Sequence, residues 1–192
     1  MVAVLPVFAD RGNRADPDRG MSVWSLRLAR AEDAEAMPAI EAAAGALFDT
    51  VEGLAVVAGQ HTVPLDQLRR YIGKGHSLVA HAEGKAVGFL VTEPFRRELH
   101  IQEFNVLPQF QQRGIGGGLL RACQIDARNS GFCALTLTTF RDVAWNAPFY
   151  SRLGFLEIAT GGEHPRLAAE LVREAEHGLP AERRCAMVCF LD

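Results

Sequence analysis

No apolar run in this 192-residue sequence approaches the roughly 20 residues that cross a bilayer. Nor is there a large excess of charge. A net charge of −3 gives no electrostatic case for nucleic acid or an anionic membrane. Cysteine is sparse: Cys123, Cys133, Cys185 and Cys189 lie in apolar segments without zinc-type spacing. They read as reduced core thiols, which fits a cytoplasmic protein and gives no metal site. Internal repeats and domain linkers are also missing. What is present, 48% hydrophobic and 22% charged residues, describes a soluble globular chain able to bury a sizeable core.

Residues 2–9 are apolar and residues 10–20 polar, with no positive charge ahead of the apolar part and no small-residue cleavage site after it. Residues 1–21 are therefore expected to form a flexible tail, and 22–192 a single domain, with Met21 an alternative start to Met1. Residues 23–28 alternate like a strand, and further strands are read over 77–81, 86–91, 99–106, 133–140, 155–158 and 185–191. Helical spacing predicts helices over 31–48, 65–72, about 113–129, 146–153 and within 161–181. Pro38 marks either the true start of the first helix or a kink. Glu83-Gly84-Lys85 signals a hairpin. Residues 49–63 have no clear pattern. The order suits an α/β (α+β) fold, one mixed sheet with helices on both faces.

The stretch from Val106 to Leu120 organises the chain. Gly114, Gly116, Gly117 and Gly118 remove four side chains where a helix begins, at a cost to helix stability of about 1 kcal/mol each if all lie in its interior. A bare helix N-terminus offers unpaired N–H groups and the positive dipole end, which suit a phosphate. Gln111, Gln112 and Arg113 add polar and cationic groups. The dinucleotide fingerprint fails because Leu119 stands at its third glycine, and the P-loop fails for want of Gly-Lys-Ser/Thr.

The pattern Gln111-x-x-Gly114-x-Gly116, after Val106-x-Pro108, resembles the coenzyme A-binding motif of the GNAT superfamily of N-acetyltransferases. A second stretch, Trp145-Asn146-Ala147-Pro148-Phe149-Tyr150 followed by Gly154-Phe155, is similar to that family's later motif. Together with the preceding strand they cover residues 99–158. The resemblance implies a GNAT-type, mostly antiparallel twisted sheet, with acetyl-CoA as co-substrate and an amine acceptor, a small molecule or a protein amine. The charge balance and the lack of a long apolar run lead to an expectation of no nucleic-acid and no membrane partner; family members often form dimers, so a homodimer is compatible with the resemblance.

It also implies roles. Tyr150 would protonate the departing thiolate, since a phenol with pKa near 10 keeps its proton at neutral pH; the bland alternative is a core tyrosine. His100 or Glu103 would serve as base, or ordered water in place of either. Strict alternation puts His100 and Gln102 on one face and Ile101 and Glu103 on the other, unless a β-bulge intervenes. Backbone groups of Phe104, Asn105 and Val106 would hold the pantetheine arm and the acetyl oxygen. The pyrophosphate would fall on Gln111, Gln112, Arg113, Gly114, Ile115, Gly116 and Gly117. Asn146 would either face the coenzyme or cap its helix.

Phe48, His61 and Tyr71 are candidate acceptor neighbours, with ordinary packing the alternative for each. Glu52, Asp66, Glu93 and Glu98 lie in segments near that side. Cys123, on the apolar stripe of its helix, is expected to be buried, so transfer would be direct, in a ternary complex. The competing class is a non-catalytic acyl-CoA sensor on the same fold, and acyl groups other than acetyl stay open.

Overall fold

The structure, a computed structural model, describes residues 24–55, 62–160, 162 and 164–191. The expected tail, the choice between Met1 and Met21, and His61 lie outside the described residues. Seven strands form one sheet in the order β1-β2-β3-β4-β5-β7-β6. They are β1 Trp24–Leu28, β2 Leu78–Ala82, β3 Lys85–Phe95, β4 Glu98–Val106, β5 Ala134–Phe140, β6 Leu156–Ile158 and β7 Arg184–Phe190. Only β4 and β5 run parallel; every other neighbouring pair is antiparallel. The helices are α1 Met37–Gly45, α2 Leu65–Ile72, α3 Ile115–Asn129, α4 Ala147–Ser151 and α5 Pro165–Glu176.

Local chemistry accounts for most boundaries. The β2–β3 hairpin turns on Glu83 and Gly84, both at positive φ (53° and 75°), the pattern that matches the twist of paired strands. The helix expected over 31–48 is three pieces, with 3₁₀ turns over Ala31–Ala36 and Ala46–Thr50 flanking α1. Pro38 sits at the second position of α1, where its missing N–H needs no partner, so it marks a start and not a kink. Asp33 closes the preceding turn, accepting from the Arg30 N–H (2.7 Å) and from both Arg27 guanidinium nitrogens (2.6 and 2.7 Å). α3 ends before Gly131, which takes a left-handed φ of 82°.

β3 runs four residues beyond its expected end at Val91. Pro94 would normally terminate a central strand. Here β2 pairs with β3 only as far as Leu90, so Pro94 lies where one side of β3 has no neighbour and its absent N–H breaks no ladder. β3 and β4 thus form a long hairpin through the turn at Arg96, where φ is 56°.

The core has two main layers. One side of the sheet packs Leu90, Leu99, Ile101, Phe104, Val106 and Leu137 against Ile115, Leu119, Leu120 and Cys123 of α3 and Phe149 and Tyr150 of α4. The other side packs Phe89 and Val91 under Met37 and Ile40 of α1 and Leu68, Tyr71 and Ile72 of α2. A smaller cluster joins Phe48, Leu54, Phe140 and Val143. Among the described residues no helix is long and apolar enough to cross a membrane.

Candidate active site

The site begins where the sheet comes apart. β4 and β5 pair over only three positions, the last being His100 with Thr136. Past that point both strands continue, to Val106 and Phe140, without pairing to each other. A wedge therefore opens in the middle of the sheet. The Leu107 N–H donates to the Val87 carbonyl (2.8 Å), so strand alternation turns the amides of Asn105 and Glu103 toward β3 and those of Phe104 and Val106 into the wedge. Of the three backbone positions expected to hold the pantetheine arm, Phe104 and Val106 face the gap, whereas Asn105 spends its main chain on the ladder with Phe89.

A β-bulge lies on the same strand. Val91 pairs with Glu103 but Thr92 pairs with Ile101, leaving Gln102 as the extra residue. The bulge breaks the simple alternation of this strand. Ile101 and Phe104 both join the α3 layer, while Glu103, opposite Val91, turns toward α1 and α2, the face His100 shares with Glu93. The two rival bases thus sit on one side of the sheet and not on opposite sides.

Their surroundings differ. His100 is buried, its Nδ1 lies 3.0 Å from Thr136 Oγ1, and its ring meets Phe95 edge-on. Burial and then the Arg166 charge hold it well below the ordinary histidine range, as a neutral ring. Arg166 is fixed above it, donating to Glu98 (2.7 Å) and Thr136 (2.8 Å) and stacking on Phe95. His100 is enclosed where the strands still pair. Glu103 lies past the split, and burial raises its carboxyl. It accepts from Asn105 Nδ2 at 3.2 Å.

A second carboxylate, Glu41 of α1, stands against Glu103. Burial, and then the charge of Glu103, push Glu41 up to about 8. Its Oε2 accepts the Val63 N–H at 3.1 Å, while its Oε1 is buried with no partner among the described residues. The same is true of Asn105 Oδ1. Two buried acceptors beside a carboxyl pair call for a donor. Sequence reading passed over Glu41, although it falls four residues after Met37 and three before Ala44, inside the buried stripe of α1.

Across the wedge, α4 presents Tyr150. Its ring packs against Phe104, Phe149 and Phe155. The side chain is fully buried, yet its hydroxyl has no hydrogen-bond partner among the described residues. Burial, and then the charge of Glu103, raise it well above the ordinary phenol range. A core tyrosine tied to a backbone carbonyl is not what is found. Asn146 occupies the N-cap position of α4 without a side-chain cap bond; its backbone carbonyl accepts from Phe149 (2.8 Å) and Tyr150 (3.1 Å).

At the mouth, Gln111 Nε2 donates to the Val106 carbonyl at 3.0 Å, tying the glycine turn to the end of β4. Gln112 and Gly114 both take positive φ (59° and 81°). The first helical bond runs from Gly118 N–H to the Gly114 carbonyl (2.9 Å), which leaves the N–H groups of Ile115, Gly116 and Gly117 without helical partners. Arg113 and Lys85 both lie over the Phe110 ring, 4.9 and 5.4 Å from its centroid. The glycines do not all serve one purpose. A Cβ on Gly118 would come within 2.6 Å of the Trp24 ring, whereas one on Gly117 would meet only the end of the Arg121 side chain. Gly118 is small so that β1 can pack, not so that a ligand can approach. The Trp24 indole N–H fixes the arrangement by donating to the Arg113 carbonyl (3.1 Å).

On the α1/α2 side a cavity of about 560 Å³ is lined by Gln67, Arg70, Tyr71, Lys74, Glu93 and Gln102, with Phe95 and two residues of α5. Tyr71 and Glu93, two of the residues named for the acceptor side, both line this cavity. Phe48 does not: it is core, packed on Phe140 and Trp145. Glu98 is occupied by Arg166, and Glu52 contributes only its carbonyl, to Arg183. Cys123 is buried, and burial pushes its thiol well above the usual range, which removes it as a nucleophile.

Residues 73–157 match the family model for the acetyltransferase (GNAT) domain. Solved structures agree on the fold. PaiA N-acetyltransferase from Thermoplasma acidophilum, in complex with coenzyme A, superposes with a TM-score of 0.66 at 15% identity, covering 88% of this chain and 99% of that one. Rv2747 from Mycobacterium tuberculosis, also with CoA, gives 0.64 at 19% identity over 88% and 99%. Ard1 from Thermoplasma volcanium gives 0.62 at 18% identity over 88% and 98%. The split in the sheet, the bulged fourth strand and the glycine turn all fall within residues 73–157, the part of the chain that matches the acetyltransferase (GNAT) domain.

Proposed function

We propose that the protein transfers an acetyl group from acetyl-CoA directly to a primary amine, both held at once, with Tyr150 as acid and Glu103 as base. The observation that carries this is the Tyr150 hydroxyl, fully buried at the wedge and unpartnered. A buried donor without an acceptor is costly unless it has work to do. The wedge between β4 and β5, the inward backbone of Phe104 and Val106, and the bare N-terminus of α3 fit the extended coenzyme and its pyrophosphate. Acetyl-CoA supplies the thioester carbonyl that the amine attacks.

The chain's own groups account for the protons. Glu103 takes one from the amine as the carbon–nitrogen bond forms. Burial raises the Glu103 carboxyl, and Glu41, close beside it, makes full ionisation of the pair unfavourable. An N–H in the wedge, from Phe104 or Val106, is available to the carbonyl oxygen. As the carbon–sulfur bond breaks, Tyr150 gives its proton to the sulfur. The orphan acceptors Glu41 Oε1 and Asn105 Oδ1 suit an amine as incoming donor. His100, neutral and closed in, supports the strand junction and takes no proton. Substituting each candidate base decides this: Glu103→Gln should lower kcat by about 100-fold or more, while His100→Asn should act mainly on stability. The reverse pattern would make His100 the base.

A further inference from the structure

The cavity lined by Gln102, the neighbour of Glu103 on β4, has an uneven distribution of charge. Its two carboxylates are engaged: Glu93 accepts Gln102 Nε2 at 3.0 Å, and Glu170 pairs with Arg173. Arg70, on the exposed side of α2, and Lys74, exposed just past its C-terminal end, line the same cavity. Neither has a hydrogen-bond or ion-pair partner among the described residues. They stand one turn apart, a spacing at which like charges repel. Two cations without partners on the rim, beside two carboxylates already engaged, leave the mouth of the cavity positive.

The pocket is also walled. α5 closes its far side and is anchored twice. Arg166 reaches Glu98, Thr136 and Phe95 near one end. Glu174, near the other, holds the buried Arg184 through two bonds of 2.7 and 2.9 Å and also meets Thr138. The cavity volume, about 560 Å³, lies in the range of small-molecule sites.

We infer that this cavity receives a small amine that also carries an anionic carboxylate or phosphate group, its nitrogen directed to Glu103 and its anionic end held by Arg70 and Lys74. The inference rests on the acetyl-transfer reading above. An anion between two cations one turn apart gains from both and relieves their repulsion.

The test measures thiol release with the full-length chain and acetyl-CoA, while calorimetry follows coenzyme binding separately. The acceptors are glutamate and phosphoethanolamine, their uncharged counterparts glutamine amide and ethanolamine, 1,4-diaminobutane, and a short peptide with an acidic N-terminal residue. Glutamate reports a carboxylate requirement and phosphoethanolamine a phosphate requirement. An anionic small amine should exceed its uncharged counterpart at least tenfold in kcat/KM. The double substitution Arg70→Ala, Lys74→Ala should raise its KM at least tenfold, with kcat within twofold and coenzyme affinity unchanged. Both side chains are exposed, so the variant is expected to fold. The inference is overturned if the diamine or the peptide is the best acceptor, if the double variant leaves KM unchanged, or if coenzyme binds and no anionic amine is turned over. Failure of coenzyme binding in the unsubstituted chain would instead bring down the acetyl-transfer reading, and this one with it.

Discussion

At the scale of single residues the proposed chemistry turns on two carboxyls and a phenol. Glu41 and Glu103 are both raised by burial, Glu41 to about 8. The folded state thus holds a proton that the unfolded chain releases near the ordinary carboxylate pKa of 4.5. That contribution to stability is complete below the unfolded value and is lost as pH rises through about 8. Melting temperature should therefore fall from pH 5 to pH 9, and Glu41→Gln should flatten the decline; an equally steep slope in the variant would show that Glu41 is not the group involved. The same substitution removes a like charge from Glu103. The alkaline rise of kcat/KM, set by a base that must be ionised, should then move to lower pH. A profile that stays in place would separate the two carboxyls.

At the scale of elements, the glycine turn and α5 make separable predictions. Gly118→Ala drives a methyl group into Trp24 and should destabilise the fold by about 1–3 kcal/mol, read as a lower denaturation midpoint. Gly117→Ala meets only a flexible arginine end and should leave stability near wild type, while coenzyme affinity falls as the cradle fills. Equal stability losses in the two would mean that both glycines serve packing. In α5, Glu174→Ala would strand the buried Arg184, and such losses commonly destabilise by about 3–5 kcal/mol. Urea unfolding of the variant beside wild type measures it, and a midpoint unchanged from wild type would show that Arg184 finds another partner.

Across the whole molecule, what could be read from sequence is what the chain writes locally. The strands read as short local segments, β1 by its alternation, and Pro38, Glu83-Gly84 and Gly131 announce their own geometry. Gln111 to Gly116 and Tyr150 to Phe155 carried the resemblance because each motif is a short-range pattern. The missed features are long-range. Nothing in residues 98–106 marks Gln102 as the bulge, because the bulge is defined by which partner faces it on β3. Glu41 gains meaning only when α1 settles over β4, and Arg70 and Lys74 only when α5 closes the cavity beside them. A glycine bare for a ligand and one bare for Trp24 look alike until β1 is placed.

The central claim is that the buried, unpartnered hydroxyl of Tyr150 protonates the leaving thiolate. The most direct measurement compares single-turnover thiol release by wild type and Tyr150→Phe, with coenzyme affinity and melting temperature taken on the same samples. No hydrogen bond within the described residues is lost, so stability and coenzyme binding should hold while the rate falls about 100-fold or more. A Tyr150→Phe enzyme that releases thiol at the wild-type rate would contradict the account.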